Sequence, residues 1–227
     1  MTSTGFEDRI LNGLLPTFCN DPSRRWGCDG FRKEWHKISG IDAQDFLRGL
    51  DAGLVEHVGR GMYRAPRSHA SEQFFWSGLR DIHPRPVTLS IEPIITVAVL
   101  SRLHFDRGWP KDYLGTQSKE WAFDVAAYLP SNPTREYVAC EVKKTERELE
   151  QLIALMRRFG ESEPIGDLRK EELNAFRKVK GLRSRRAPLF WAVGPGGINA
   201  VFRVIYSDGD LVTFEEAPLA ELQYPTP

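Results

Sequence analysis

The chain has 227 residues, with 31 Lys plus Arg against 31 Asp plus Glu, 41% of them hydrophobic and 27% charged. That length suits one or two domains, and 13 Phe, 6 Trp and 6 Tyr supply a sizeable core, which excludes a peptide scaffold and global disorder. No apolar run approaches the roughly 20 residues of a membrane helix, and the start MTSTGFEDRI has no basic and apolar signal regions, so a cytoplasmic protein without a membrane partner is expected.

Residues 6–18 and 30–38 are two short helical candidates. Cys19 and Cys28 both fall between them, and with Cys140 they make an odd count without disulfide spacing, which predicts reduced structural thiols. Zinc is rejected, because Cys19, Cys28 and His36 match no common finger and lack a fourth ligand. Ile41, Phe46, Leu47, Leu50 and Leu54 then approximate a 3.6-residue period, with Ser39 or Asp42 to cap the helix and Gly53 to end it. Leu54 to Val58 alternates loosely, Gly59-Arg60-Gly61 makes a turn, and Met62 to Pro66 is a second extended piece. The stretch FLRGLDAGLVEHVGRGMYRAP resembles the winged helix of the abortive-infection antitoxins of type IV toxin–antitoxin systems. The resemblance implies a winged helix-turn-helix domain over residues 1–68, with Arg48, Arg60, Arg64 and Arg67 available to nucleic-acid phosphates. Protein contact or dimerisation through the same domain is the competing use.

Residues 69–87 read as a linker or packing segment, with a short helical candidate over 71–80 and a break at His83-Pro84-Arg85-Pro86. From Ser90 the run IEPIITVAVLSRLHF predicts a largely buried helix over residues 91–103. In KEWAFDVAAYLP, strand alternation puts Trp121, Phe123, Val125 and Ala127 on one face and Glu120, Ala122, Asp124, Ala126 and Tyr128 on the other. In EYVACEVKKT it puts Val138, Cys140 and Val142 on one face and Tyr137, Ala139, Glu141 and Lys143 on the other, with Lys144 pointing away. If the two strands pair, Asp124, Glu141 and Lys143 converge on one surface cleared by alanines.

Two adjacent carboxylates repel unless a cation shares them, and Mg²⁺ takes one or two carboxylates plus waters and phosphate oxygens. Asp124, Glu141 and the Val142 carbonyl are therefore candidate metal ligands for Mg²⁺, with Mn²⁺ substituting, and Lys143 stands where it can position or deprotonate a water. Asp124 followed by Glu141-Val142-Lys143, with a helix before and TERELEQLIALMRRFG after, resembles the PD-(D/E)XK nuclease superfamily over roughly residues 88–206. Phe123 replaces the superfamily's common proline. The resemblance implies an α/β fold, a restriction-endonuclease-like mixed sheet flanked by helices over 88–227, and a further helical acid, Glu92, with Glu72 as its alternative. Glu92 otherwise reads as a first-turn acid favoured by the helix dipole. Gln151, on the following helix, either faces the site or is solvated.

Residues 169–180 read as an amphipathic helix followed by a basic loop, GLRSRR. Arg177, Lys178, Lys180, Arg183, Arg185 and Arg186, with no acid among them, are candidates for holding a nucleic-acid backbone. Residues 199–216 read as a hairpin turned at Ser207-Asp208-Gly209-Asp210. The zero net charge is thus a cancellation: the cations of 173–207 face an acidic stretch from 208 onward. The expected activity is metal-dependent hydrolysis of phosphodiesters, in DNA first, in a defence, restriction or mobile-element setting. The alternatives are a non-catalytic DNA-binding regulator or antitoxin-like protein on a scaffold nuclease fold, and a nuclease subunit that needs a partner protein. A homodimer is left open, and no cofactor other than the metal is called for.

Overall fold

The computed structural model describes residues 4–24, 27–79, 81–164, 166–207 and 211–225. The chain opens with α1 (Thr4–Asp8), a π-helical turn (Arg9–Leu14) and α2 (Leu15–Cys19), which bury Phe6, Ile10, Leu14, Leu15 and Phe18. The second expected helix, over 30–38, is only a 3-10 turn at Trp35–Lys37, and Phe31 instead bridges to Val87. Helix α3 (Gly40–Asp51) is capped by Ser39, whose hydroxyl accepts the Asp42 N–H at 3.0 Å and satisfies a first-turn donor. β1 (Glu56–His57) and β2 (Met62–Arg64) pair antiparallel around Gly59-Arg60-Gly61, a turn left-handed throughout (φ 92, 54 and 61°). β3 (Glu72–Gln73) joins β2 to complete a small three-stranded sheet.

Of the helix expected over 71–80, the described residues 71–79 form none: β3 is followed by β4 (Phe75–Ser77), which pairs with β5 (Val87–Leu89). Extended backbone sends consecutive side chains opposite ways, so both Phe74 and Phe75 are buried. Phe74 meets Phe46 at 5.0 Å, and Phe75 meets Phe18 at 5.3 Å. No helical face could bury both rings so differently.

Helix α4 (Ile91–Ser101), extended by a π-helical turn (Arg102–Asp106), is buried from Ile94 to Ser101 because α3 covers one side and the main sheet the other. That sheet has six strands: β6 (Leu114–Thr116), β7 (Val125–Leu129), β8 (Asn132–Val142), β9 (Leu189–Val193), β10 (Asn199–Tyr206) and β11 (Val212–Ala217). Their spatial order is β11-β10-β9-β8-β7-β6. All neighbours run antiparallel except β8 and β9, whose parallel pairing requires a crossover. Helices α5 (Glu146–Glu161) and α6 (Lys170–Arg185) make that crossover.

The fold is therefore α/β, with helices on both faces of a mixed sheet. Val125, Ala127, Val138, Cys140, Val142 and Trp191 face α4 in a core that continues without a break to Phe6 and Phe46. Ala139, Phe190, Ala192, Phe202 and Val204 face α5 and α6, against Leu152, Met156, Ala175 and Val179. Among the described residues, no helix is long and apolar enough to cross a membrane.

Three local expectations are corrected. β7 begins only at Val125, because residues 119–121 form a 3-10 turn with Glu120 at φ 60°, so Phe123 packs on the α6 side against Phe190 rather than beside Val125. A register shift in the β7–β8 pair turns Tyr137 toward Trp109 and the α4-side core, away from the Ala139 face. The GLRSRR segment is not a loop: α6 runs through it to Arg185. Gly181 permits this, since a Cβ there would lie 3.1 Å from the Ala122 Cβ and 3.4 Å from the Phe123 ring, and a larger side chain would push the helix off the sheet. The hairpin over 199–216 is present as β10 and β11, with Asp208-Gly209-Asp210 lying outside the described residues.

Candidate active site

The β7–β8 register pairs Val125 with Cys140, so one step further Asp124 comes opposite Glu141. Asp124 Oδ2 accepts the Val142 N–H at 2.8 Å, which locks the acid to the neighbouring strand. The Asp124 carbonyl accepts the Gln117 N–H at 2.8 Å, extending the ladder past the end of β7. Alternation along β8 places Glu141 on the α6 face, between Ala139 and Lys143, as its residue pattern implies. Ala126, Ala139 and Ala192, all fully buried, keep the sheet low around the carboxylates.

Glu141 is almost completely buried, its side chain only 3% exposed, and both its oxygens meet cations. Lys143 Nζ donates to Oε1 at 2.7 Å and to the Val142 carbonyl at 3.0 Å. Lys178 Nζ, reaching down from α6, lies 2.5 Å from Oε2. Burial works to raise the Glu141 carboxyl, but Lys178 and Lys143 outweigh it and hold it below the usual range. Asp124 has no such pair of partners: burial, reinforced by the Glu141 charge, pushes it up to about 7. Burial pulls the Lys143 ammonium down, yet Glu141 and Asp124 more than reverse this, so it is held firmly protonated.

Glu92, in the first turn of α4, lines a groove of about 290 Å³ with Lys143, Lys144, Glu148, Gln151 and Asn174. Burial raises its carboxyl, partly offset by Lys143 and Lys144. The alternative acid Glu72 is not on a helix but on β3, buried, with its Oε1 accepting from Gln117 Nε2 at 2.9 Å. Burial is the chief cause of its raised carboxyl, and Glu92 adds to it. Glu72 and Glu92 therefore stand near one another, and Gln117 ties Glu72 to the Asp124 backbone. Lys144 does not point away, since β8 ends at Val142; it faces the same groove and pairs with Glu148 at 3.5 Å.

The downstream cations divide. Asn174, Arg177, Lys178, Gly181, Ser184 and Arg185 recur at helical spacing along α6 and, with Lys180 and Glu120, line a second groove of about 550 Å³. Asn174 belongs to both grooves, so they meet beside the carboxylates. Arg177 and Lys180 are exposed in it, whereas Arg185 is held by Glu136 at 3.3 Å. Arg183 points elsewhere, bonded to Glu163 and the Phe159 carbonyl, and Arg186 ends the helix in a left-handed conformation over the Tyr206 ring.

Three of the four N-terminal arginines are engaged within the chain. Arg48 pairs with Asp106 at 3.1 Å and stacks on Phe105, Arg64 donates to the Ser68 carbonyl at 2.6 Å, and Arg67 donates to the Asp112 carbonyl at 3.0 Å. Arg60 is exposed at the tip of the β1–β2 turn. Sequence reading missed the Lys178–Glu141 pair and the Gln117 link. The first sits on the polar stripe of α6, but no sequence signal says which strand lies beneath that stripe.

Among the described residues, no group of three or more His, Cys, Asp or Glu side chains stands together as a metal site. The chain matches no protein-family model, no curated protein and no solved structure.

Proposed function

We propose that this chain is a metal-dependent nuclease that hydrolyses phosphodiester bonds, in DNA first, with Asp124, Glu141 and Lys143 at its centre. The observation that carries the reading is the β7–β8 register, which sets the two carboxylates opposite each other with Lys143 directly after β8 and bonded to Glu141. The order of elements agrees with the PD-(D/E)XK resemblance: a buried helix, three antiparallel strands, a helical crossover and a parallel strand beside the lysine strand.

The donor set suits a hard divalent cation: two carboxylates and the strand-end carbonyl of Val142, with room for waters in the adjoining groove. These three groups would hold Mg²⁺, or Mn²⁺ in its place. When bound, such an ion lowers the pKa of a coordinated water and neutralises charge growing on the phosphate. Asp124, half-buried beside a charged Glu141 and only partly relieved by Lys178 and Lys143, would be further relieved by a bound cation, which supports the fit. Three acids are not required where waters complete the shell.

Lys143 is held protonated, so it acts as a donor: it orients the attacking water and stabilises negative charge on the phosphate rather than removing the water's proton. Glu92 reaches the same groove from α4 and, with its raised carboxyl, accepts or relays a proton there. Arg177 and Lys180 hold the nucleic-acid backbone along the connected groove without reading sequence.

The test is plasmid cleavage by the purified chain with Mg²⁺ or Mn²⁺. Lys143→Ala should reduce cleavage at least about a hundredfold, in line with loss of a charge-stabilising donor. Cleavage indifferent to that substitution removes the assignment. A second reading, a non-catalytic DNA-binding protein on this scaffold, draws on the lysines that already neutralise Glu141. Binding without cleavage, unaffected by Glu141→Ala, is its signature.

A further inference from the structure

Lys178 is placed between two environments. Its Nζ lies 2.5 Å from Glu141 Oε2, yet its stem lines the open groove with Arg177, Lys180 and Arg185, and the side chain keeps 13% exposure. Lys143, by contrast, is anchored twice on β8, to Glu141 Oε1 and to the Val142 carbonyl. Of the two cations on Glu141, only Lys178 comes from another element, on a flexible four-carbon stem that can turn without moving the sheet. A divalent cation between Asp124 and Glu141 would satisfy both carboxylates and compete with the Lys178 ammonium for Oε2. Once displaced, that ammonium can turn into the groove that Lys178 already lines beside Arg177 and Lys180.

Resting on the nuclease reading above, we infer that Lys178 is an exchangeable counter-ion: it neutralises Glu141 until a divalent cation arrives, then turns into the α6 groove and holds a phosphate of the bound nucleic acid. Metal binding and polyanion binding are then coupled through one side chain, and the coupling is reciprocal. In the metal-free state Lys178 lowers metal affinity by occupying its ligand. In the metal-bound state it adds a phosphate contact that the apoprotein lacks.

The experiment measures Ca²⁺ binding by calorimetry and binding of a fluorescent oligonucleotide by anisotropy, with Ca²⁺ or with EDTA, in the full chain and in Lys178→Met and Glu141→Gln variants. The wild type should bind the oligonucleotide about tenfold tighter with Ca²⁺ than with EDTA. Lys178→Met should bind Ca²⁺ several-fold tighter than wild type and should bind the oligonucleotide with little dependence on Ca²⁺. Ca²⁺ binding that is lost in Glu141→Gln but no tighter in Lys178→Met overturns the Lys178 role and leaves the nuclease reading standing. Absence of Glu141-dependent Ca²⁺ binding in both wild type and Lys178→Met overturns both. Should Lys178→Met fail to fold, the wild type still decides: acylation of Lys178 by an amine-reactive ester, read by peptide mass spectrometry, should rise several-fold with Ca²⁺ and fall again with the oligonucleotide. Unchanged acylation overturns the exchange.

Discussion

Asp124 Oδ2 accepts the main-chain N–H of Val142 at 2.8 Å, so the first acid of the site is bonded to the backbone of the strand that carries the second. The carboxylate separation is therefore set by a β-ladder rather than by two independent side chains. Rigid elements hold such constellations more closely than loops do, and here the ladder does so before any cation is bound. Burial is the chief cause of the raised Asp124 carboxyl, and the repulsion from Glu141 that this placement creates adds to it.

The raised Asp124 carboxyl makes stability depend on pH. Asp124 is raised from 3.8 to about 7 in the folded chain, so its contribution is complete below about pH 3.8 and is lost as pH rises through about 7. Glu141, lowered from 4.5, contributes in the opposite sense, and its share is lost only in acid, as pH falls through its lowered folded value. Between pH 5 and 8 the Asp124 effect governs this pair. Asp124→Asn should flatten the profile and stabilise the chain at pH 8 by about 1–2 kcal/mol, the partial exposure of Asp124 limiting the gain. Mg²⁺ should raise the wild-type Tm at pH 8 and leave it unchanged at pH 5. Scanning calorimetry at both pH values checks both expectations, and an equal Mg²⁺ effect at pH 5 contradicts the account.

The α6 groove and the N-terminal arginines should differ in their contribution to binding. Arg177→Ala and Lys180→Ala should each weaken oligonucleotide binding about three- to tenfold, uniformly across sequences, and lower the salt slope by about one. Arg48→Ala should change affinity less than twofold, because its guanidinium is engaged by Asp106 and Phe105. Anisotropy titrations over a series of KCl concentrations separate the two groups.

The junction of the N-terminal helices with α4 rests on a buried ion cluster. Arg102 Nη2 meets Asp42 at 2.6 Å and its Nε meets Asp45 at 2.7 Å, while Asp42, 1% exposed, also accepts the Ser39 hydroxyl at 2.7 Å and the Gly196 N–H at 2.6 Å. Arg102→Met strands the Asp42 charge and should cost about 3 kcal/mol in urea unfolding. Arg102→Lys should recover less than half of this, since a point charge cannot span both acids as the guanidinium fork does. Full stability in Arg102→Met would show that the cluster is incidental.

Much of the site was legible in the sequence because strand alternation is a local property. Val138, Cys140 and Val142 against Ala139, Glu141 and Lys143 fixes which side of β8 carries Glu141, and TERELEQLIALMRRFG marks the helix that follows. Local pattern failed where long-range packing overrode it. Residues 72–73 and 75–77 are strand because Phe74 and Phe75 each find a separate aromatic partner, and the helix continues through Gly181 to Arg185 because a glycine there leaves room for Ala122 and Phe123.

The sequence by itself determined the helix before the sheet and the faces of Asp124, Glu141 and Lys143, consequences of periodicities of two and 3.6 residues, while the α/β class was implied by the nuclease resemblance. Only the tertiary structure decided that Lys178 sits on Glu141, that Arg185 is drawn to Glu136 and that Arg48, Arg64 and Arg67 are engaged by partners of their own. Those outcomes depend on which surface α6 and α3 are laid against, and a cation finds its carboxylate through space, where distance and burial rather than chain spacing set the energy.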